Sequence, residues 1–325
     1  KQSGSAFEWW MIANIAVGAG FSAFVALLIP PYVTESTGNA AAAGIVMAII
    51  SLAAVLGPVL GGLADKYRAH RLVMNLGVLG MAIAFAMYAL SAQNNALFAI
   101  DAIVMGASIA AVSAVAPVFV VGAKLPKALE AKRLTTYNLV APVGQVLGGM
   151  LLGAVAAAGW SYSMRFWLAA AVLFVAFVVT WLTSKAPAER IALAMDEAEI
   201  EAEVREGVEE TVKARKTGIS GVLFSAFGAY LLVLVLSSVA NNGINNQIAN
   251  ILPNVYGMSE AATSGLISLA GLLNIGVFFL AGWWMGRSGI MAPFAVGQIA
   301  RFAGSLGLAV LGLLTQNAPM IMVAI

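Results

Sequence analysis

The sequence predicts an all-α chain that crosses a lipid bilayer many times, and three observations carry that prediction. Of its 325 residues, 61% are hydrophobic and only 10% are charged, where soluble domains carry roughly a quarter charged residues. The mean hydropathy is +0.93. The apolar residues gather in runs of the length a membrane helix needs, about 20 residues. A soluble core of this size cannot enclose so much apolar surface. Lipid solvates it, and inside lipid a helix satisfies its own backbone groups.

Nine such runs are read, at residues 7–29, 41–62, 72–91, 96–123, 136–158, 164–183, 220–251, 261–285 and 293–314. A tenth starts at Pro319 and stops at Ile325, too short to cross. The basic residues set the expected orientation. With the N-terminus in the cytoplasm, the inner segments hold all 17 Lys and Arg except Arg165 and Arg301, which fall inside spans. The outer loops near Gln93, Gly159, Asn254 and Gln316 hold none. The positive-inside rule then selects a multi-pass protein of the cell membrane with a cytoplasmic N-terminus.

Composition also excludes function classes. A net charge of +2 gives no reason to expect a nucleic-acid partner. The chain has no cysteine, hence no disulfide, thiolate metal site or Cys nucleophile. A single histidine, His70, rules out a multi-His metal site. There is no P-loop, so ATP is not the expected driver. Without a His cluster, a Cys or paired intramembrane carboxylates, an embedded enzyme is not expected, nor is a cofactor.

Residues 185–217 differ from the rest. They are polar and carry Asp196, Glu197, Glu199, Glu201, Glu203, Glu206, Glu209 and Glu210. Ile200, Val204, Val208 and Val212 recur every four residues, a narrow amphipathic stripe. The expected element is a solvated cytoplasmic linker helix packed on the membrane domain; a regulatory binding site is the other reading. It divides the chain into residues 1–184, with six spans, and 218–325, with three. The two parts echo each other. Leu28-Ile29-Pro30-Pro31-Tyr32 closes the first span, and Ile251-Leu252-Pro253-Asn254-Val255-Tyr256 closes the seventh. Gly61-Gly62-Leu63-Ala64-Asp65-Lys66 follows span two, and Gly282-Trp283-Trp284-Met285-Gly286-Arg287 follows span eight. Two related halves suit a transporter that rocks around a central site. The expectation is two six-helix halves, the second incomplete here, truncated after about the ninth span.

The segment Gly61-Gly62-Leu63-Ala64-Asp65-Lys66-Tyr67-Arg68-Ala69-His70-Arg71 joins spans two and three. It resembles the signature loop of the major facilitator superfamily: paired Gly, Leu, Asp, then a basic cluster. The family usually has Gly where Arg68 stands. The resemblance implies a fold of two six-helix halves and transport by alternating access. It also implies that Gly62, Asp65, Lys66, Arg68 and Arg71 form a cytoplasmic gate that latches the halves. Arg287 is its counterpart, weakened by Gly286 in the Asp slot. Physically, the glycines let helices approach closely, and Asp65 at a helix end can pair with Arg or a helix N-terminus. A plain positive-inside loop explains the basic residues but neither the glycines nor Asp65. In span five, Ala141-Pro142-Val143-Gly144-Gln145-Val146-Leu147-Gly148-Gly149 is similar to the Gly- and Pro-rich pattern of the family's antiporters, with Ala141 in place of the leading Gly. A close-packed, Pro-bent helix is the competing reading.

A charge inside a membrane helix costs roughly 2.5–3.5 kcal/mol on insertion scales. Asp101 lies about five residues into span four, near the slot where the family often has Arg. It is a candidate coupling residue or partner of a cationic substrate group; an outer-interface carboxylate is the alternative. Glu8, at the start of span one, is a second coupling candidate, or a carboxylate reaching the cytoplasmic interface. Arg165 is expected to snorkel at the outer face, and Arg301 to pair structurally. Span seven carries the densest polar set: Asn241, Asn242, Asn245, Asn246, Gln247 and Asn250. Lipid satisfies no amide, so these must face protein, water or ligand. They are the expected substrate-binding residues, with Asn14 of span one as an addition. Interhelical hydrogen bonding, worth about 0.6 kcal/mol per pair, is the competing explanation.

Amides suit hydroxyl-rich or zwitterionic solutes, and Leu28–Tyr32 is similar to the Leu-x-Pro-Tyr start of the superfamily's sugar-type carriers. The expected function is a monomeric secondary active transporter for a small polar, sugar-like solute, coupled to H+ or Na+. The alternatives are a drug or metabolite efflux antiporter, and a non-transporting assembly or receptor protein on the same fold.

Overall fold

The computed structural model describes residues 4–91, 94–206, 247–288 and 291–314, and the regular structure among them is helical throughout. Helix α1 spans Trp9–Thr37, α2 Ala40–Lys66 and α3 His70–Leu90. Helix α4 runs Asn95–Val115, with a further turn at Val118–Val121. Helices α5 and α6 are Lys127–Ala157 and Tyr162–Thr183. Helix α7 is Lys185–Glu206, α8 Ile248–Tyr256, α9 Glu260–Ser288 and α10 Met291–Leu314. Seven of these, α1–α6 and α9, contain stretches long and apolar enough to cross a membrane.

Local chemistry sets the ends. Gly38 takes the left-handed conformation (φ +66°) that closes α1 without a Cβ penalty. Asn39 and Asn94 then cap α2 and α4, their Oδ1 atoms accepting from Ala41 and Ala96 N–H at 2.9 and 3.0 Å. The helices outrun the apolar stretches. Helix α1 continues through Pro30 and Pro31 to Thr37, α5 starts at Lys127 rather than 136, and α8 reaches Tyr256, so Asn254 is helical and not in a loop. Gly61–Lys66 likewise forms the last turns of α2 and not a loop. Hydropathy falls where a span meets the interface, whereas backbone hydrogen bonding carries on past it.

Helix α1 is not uniform: Gly18–Val25 is wound as a π-helix. Along and beside this stretch α1 and α5 come into backbone contact. A Cβ on Gly18 would overlap the Ala141 carbonyl, and one on Gly144 would overlap the Ile15 carbonyl. The other face of α5 packs on α9 in the same way. A Cβ on Gly153 would stand 3.2 Å from the Ser264 Cβ, and Gln145 Nε2 donates to the Ile267 carbonyl at 3.3 Å. Small residues thus let α5 join the first set of helices to the second.

The first set has a core of large buried side chains, including Trp10, Phe24, Phe85, Phe98, Phe119 and Phe166. Large apolar residues also lie exposed along the outward faces, such as Leu52, Leu72, Leu182, Leu273 and Phe279. That surface is solvated by lipid. Arg68 and Lys124 pair with α7 at one end of the bundle, where Lys66, Arg71 and Lys127 stand at the adjoining helix ends, hereafter the basic end. Helix α7 docks there through Ile191 and Ala194, both buried. The side chains of Ile200 and Val204, and all of Val208 and Val212, lie outside the described residues, as does most of the expected seventh span.

Candidate functional site: two ends of a helical bundle

At the basic end, α2 and α3 are joined by a tight turn. Tyr67 N–H donates to the Leu63 carbonyl at 3.0 Å, and Ala69 N–H to the Ala64 carbonyl at 2.8 Å, while Arg68 adopts φ +52°. This is the left-handed helix ending that glycine makes without strain. The backbone geometry of the motif's glycine is therefore present, with an arginine in it. A Cβ at Gly61 would make ordinary contact with Ala114, 3.7 Å away, and one at Gly62 would meet nothing within 4 Å. The close approach expected at Gly61 and Gly62 is not made among the described residues; the tight approaches lie instead at Gly106 against Ile50 and at Gly80 against Ser108.

The side chains of this turn reach inward and onto α7. Asp65 Oδ1 lies 2.7 Å from Nε2 of the buried His70. Arg68 pairs with Asp196 of α7 at 2.5 Å, and Lys124 with Glu197 at 3.5 Å. Arg71 donates to the Trp181 carbonyl at 2.8 Å and stacks on the Trp181 ring at 4.7 Å. Lys66 sits over Tyr67 at 5.3 Å. Gly62, Asp65, Lys66, Arg68 and Arg71 thus lie in and on either side of the turn that joins α2 to α3. Arg287 does not join them; it lies on its own helix, 3.9 Å over the Trp283 ring.

Glu8 lies close by in a dense clasp. Its carboxylate accepts from Arg133 at 2.8 Å, from Arg190 at 2.6 Å and from Trp10 Nε1 at 2.6 Å. Arg133 also donates to the Ser5 carbonyl at 3.2 Å. The N-terminal segment, α5 and α7 are tied at this point. Burial alone would raise the Glu8 carboxyl, but hydrogen bonds from Arg190 and Trp10 and the charges of Arg190 and Arg133 together hold it below its ordinary value.

The amide residues divide. Asn14 is buried, and its Nδ2 donates to the Tyr137 carbonyl at 2.6 Å, stitching α1 to α5. Gln247 and Asn250 flank the start of α8. Asn250 Nδ2 donates to Thr34 Oγ1 at 2.9 Å and to Gln247 Oε1 at 3.0 Å. Asn241, Asn242, Asn245 and Asn246 lie outside the described residues. Asp101 is 1% exposed within the first set of helices, and neither carboxylate oxygen has a hydrogen-bond partner among the described residues.

The end opposite the basic one carries a group the sequence reading did not assemble. Arg165 Nη1 pairs with Glu260 Oε2 at 2.5 Å, Tyr162 OH donates to Glu260 Oε1 at 2.7 Å, and Arg165 Nε donates to the Trp160 carbonyl at 2.8 Å. Arg165 and Tyr162 belong to α6 and Glu260 to α9, so the triad bridges the two sets. An aromatic box supports it: Tyr32 lies 5.7 Å from Tyr162, 5.0 Å from Phe166 and 5.7 Å from Phe98. Beside the triad is a cavity of about 280 Å³, with Thr34, Glu35 and Tyr162 on one wall and Asn250, Asn254 and Glu260 on the other. Arg165, expected to snorkel, is instead buried and paired with Glu260. Its partner was not legible in the sequence, because 95 residues separate the two.

The contacts between the sets gather at this end. Among the described residues, Thr34 meets Asn250 of α8, and the Arg165–Tyr162–Glu260 triad and the Gly149 and Gly153 contacts with Ser268 and Ser264 use the half of α9 before Gly271.

Comparison with known proteins agrees with this architecture. The family model of the Major Facilitator Superfamily matches residues 10–325. Similar solved structures include the xylose transporter XylE from E. coli in a partially occluded inward-open conformation, at 15% identity and a TM-score of 0.70, covering 98% of this chain and 82% of that one. A D-xylose-proton symporter is similar at 16% identity and a TM-score of 0.59, covering 97% of this chain and 76% of that one. The nucleoside transporter NupG follows at 15% identity and a TM-score of 0.62, covering 97% and 78%. No curated protein sequence matches. At such identities the structural likeness is one of fold, but the family match runs along nearly the whole chain. With its apolar helices, signature turn and paired helix sets, this multi-pass membrane protein belongs to the Major Facilitator Superfamily.

Proposed function

We propose that the protein is a secondary transporter that moves a small polar solute by alternating access, with the described arrangement shut at the end opposite the basic one. The observation that carries this reading is the asymmetry of the contacts between the helix sets. Among the described residues they are concentrated around the Arg165–Tyr162–Glu260 triad, while the signature turn pairs there with its own set and with α7. Under the positive-inside orientation, the basic end is cytoplasmic and this is an inward-facing state. The amides of span seven and the xylose and nucleoside substrates named for the similar structures favour a hydroxyl-rich solute.

Asp101 is the coupling residue of this reading. An ionised carboxylate without a donor is costly in a low-dielectric interior, and taking up a proton removes that charge. Glu8 is read as a clasp, since its oxygens are engaged by Arg133, Arg190 and Trp10. The glycines of α5 are used in packing on α1 and α9, which supports the close-packed-helix reading of that stretch over the antiporter one.

The test is uptake of labelled sugars and nucleosides into proteoliposomes under imposed proton and sodium gradients. The expected result is accumulation under a proton gradient, reduced more than tenfold in Asp101→Asn with solute exchange retained. No flux of any solute above protein-free vesicles, under either gradient, would remove the transport reading and leave a scaffold role on the same fold.

A further inference from the structure

Among the described residues, two that are not glycine hold a left-handed backbone: Arg68 at φ +52° and Lys124 at φ +43°. Each stands in a turn between membrane helices at the basic end, Arg68 between α2 and α3 and Lys124 between α4 and α5. That conformation is disfavoured for a residue with a Cβ, and it persists where the surrounding structure holds it in place. Both residues are put to the same use. Arg68 pairs with Asp196 of α7 at 2.5 Å, and Lys124 with Glu197 at 3.5 Å. Consecutive carboxylates of one helix thus take up the cations that the two strained turns present.

The start of α7 is fixed to the membrane helices. Ser184, just before it, is buried and accepts from Asn75 Nδ2 at 3.1 Å and from Arg71 Nε at 3.4 Å. Further along, Arg190 pairs with Glu8 at 2.6 Å, and Ile191 and Ala194 are buried. Asp196 and Glu197 follow within one turn of Ala194. Their side chains are 49% and 68% exposed. The helix is therefore anchored by burial up to Ala194, whereas its two acids engage by screened pairs that exchange partners at little cost.

The second helix set brings competing acceptors to the same end. Helix α9 starts at Glu260, in the triad of the opposite end, and runs 29 residues to Ser288. Its C-terminal carbonyls, the negative end of the helix dipole, therefore lie toward the basic end. A cation already met by α7 gains less from them. We propose that α7 is a brake on closure of the basic end. Asp196 and Glu197 hold Arg68 and Lys124 within the first set, and the end closes when groups of the second set, the α9 C-terminus among them, take their place. The family usually has glycine where Arg68 stands, so this contact belongs to the present chain and is not part of the shared gate. The inference rests on the two-state part of the alternating-access reading and adds a control exerted from the linker.

The chain has no cysteine, so a spin-label pair at Ala128→Cys on α5 and Met285→Cys on α9, both exposed positions, reports the separation of the sets at the basic end. The full chain is measured in lipid nanodiscs. Asp196→Asn with Glu197→Gln is expected to enrich the short-distance population about threefold, the size that exposed pairs carry. Arg68→Gln with Lys124→Gln breaks the same two pairs from the other side and also removes the cations that closure uses, so it is expected to enrich nothing. Glu189→Gln removes an exposed acid of α7 that makes no ion pair among the described residues, and it is expected to match the parent. Equal shifts in the acid and cation variants would make α7 a plain strut and overturn the proposal. A shift of the same size in Glu189→Gln, or no shift in the acid variant, would overturn it too. The distances are measured without flux. Unmoved distances in a protein that carries solute remove the brake alone, and absent flux with the expected distance shifts removes the transport reading alone.

Discussion

The two ends of the bundle hold their charges differently. Opposite the basic end, one triad centred on Glu260 reaches across the two helix sets, with Arg165 buried behind it. At the basic end the ion pairs are more numerous, and those among the described residues tie the first set to α7 and to the N-terminal segment. The difference lies in what each pair resists. A charge pair that crosses the sets opposes their separation directly. A pair within one set, or between a set and its linker, fixes local shape and leaves the sets free to part. Burial then grades the pairs: Arg133 and Arg165 are largely enclosed, whereas Arg68, Lys124, Asp196 and Glu197 are open to solvent screening.

That grading predicts the largest stability loss at Glu8. Replacing Glu8 with Gln removes the carboxylate that pairs with the enclosed guanidinium of Arg133 and with Arg190, and breaking such a buried pair costs roughly 3 kcal/mol or more. The apparent melting temperature in detergent should fall sharply. The pH dependence has a definite sign. Because the Glu8 carboxyl is held below its ordinary value near 4.5, its contribution is complete above that value and is lost as pH falls through the lowered native one. The parent should lose stability on the acid side by a step that Glu8→Gln lacks. Parallel acid melts of the two proteins would dispose of the clasp.

The cross-set triad should yield a smaller stability change and a larger conformational one. Glu260 is 43% exposed, so solvent screens part of the pair, and Glu260→Gln is expected to cost about 1–2 kcal/mol. Tyr162 can still donate to the amide oxygen. Arg165 loses its counter-charge, and the sets should part more often at this end. A single Thr34→Cys label site, at the Asn250 contact, should react with an impermeant maleimide several-fold faster in Glu260→Gln. Unchanged labelling would show that the triad does not hold this end.

Third in size is the signature turn. Asp65 is well exposed and its described partner is His70. Asp65→Asn should change stability by less than about 1 kcal/mol. It should nevertheless slow solute exchange several-fold with ligand affinity unchanged, if the turn meets the second set when the basic end closes. An unaltered exchange rate would confine Asp65 to local capping.

The fold was legible because long apolar runs and the placement of Lys and Arg are local signals. The helix lengths were less so. Pro30, Pro31 and Lys127 interrupt hydropathy, yet the backbone continues as helix through the first two and begins at the third. The π-wound stretch Gly18–Val25 was invisible, since its small residues fit an ordinary span equally well until the α5 backbone is seen against them. Asn14 was chosen for its chemistry, and the structure shows that chemistry directed at the Tyr137 carbonyl. The pairing of Arg165 with Glu260 could not be read, because each residue alone is an ordinary interfacial charge.

The smallest expected effect is the most exacting test of the signature turn. Arg68 stands where the family usually has glycine, and it holds φ +52°. Non-glycine residues in the left-handed region cost on the order of 1 kcal/mol. Arg68→Gly relieves that cost but gives the unfolded chain more entropy to lose, which offsets the gain in part. It also removes the pair with Asp196, in which both side chains are more than 40% exposed and which is worth about 0–1 kcal/mol. The net change should lie within about 1 kcal/mol of zero. Arg68→Ala keeps the backbone cost and loses the pair, so it should be the less stable of the two variants. The comparison of the two substitutions isolates the backbone term. If the alanine variant melts at or above the glycine one, the left-handed turn at Arg68 costs no more than the entropy that glycine adds to the unfolded chain.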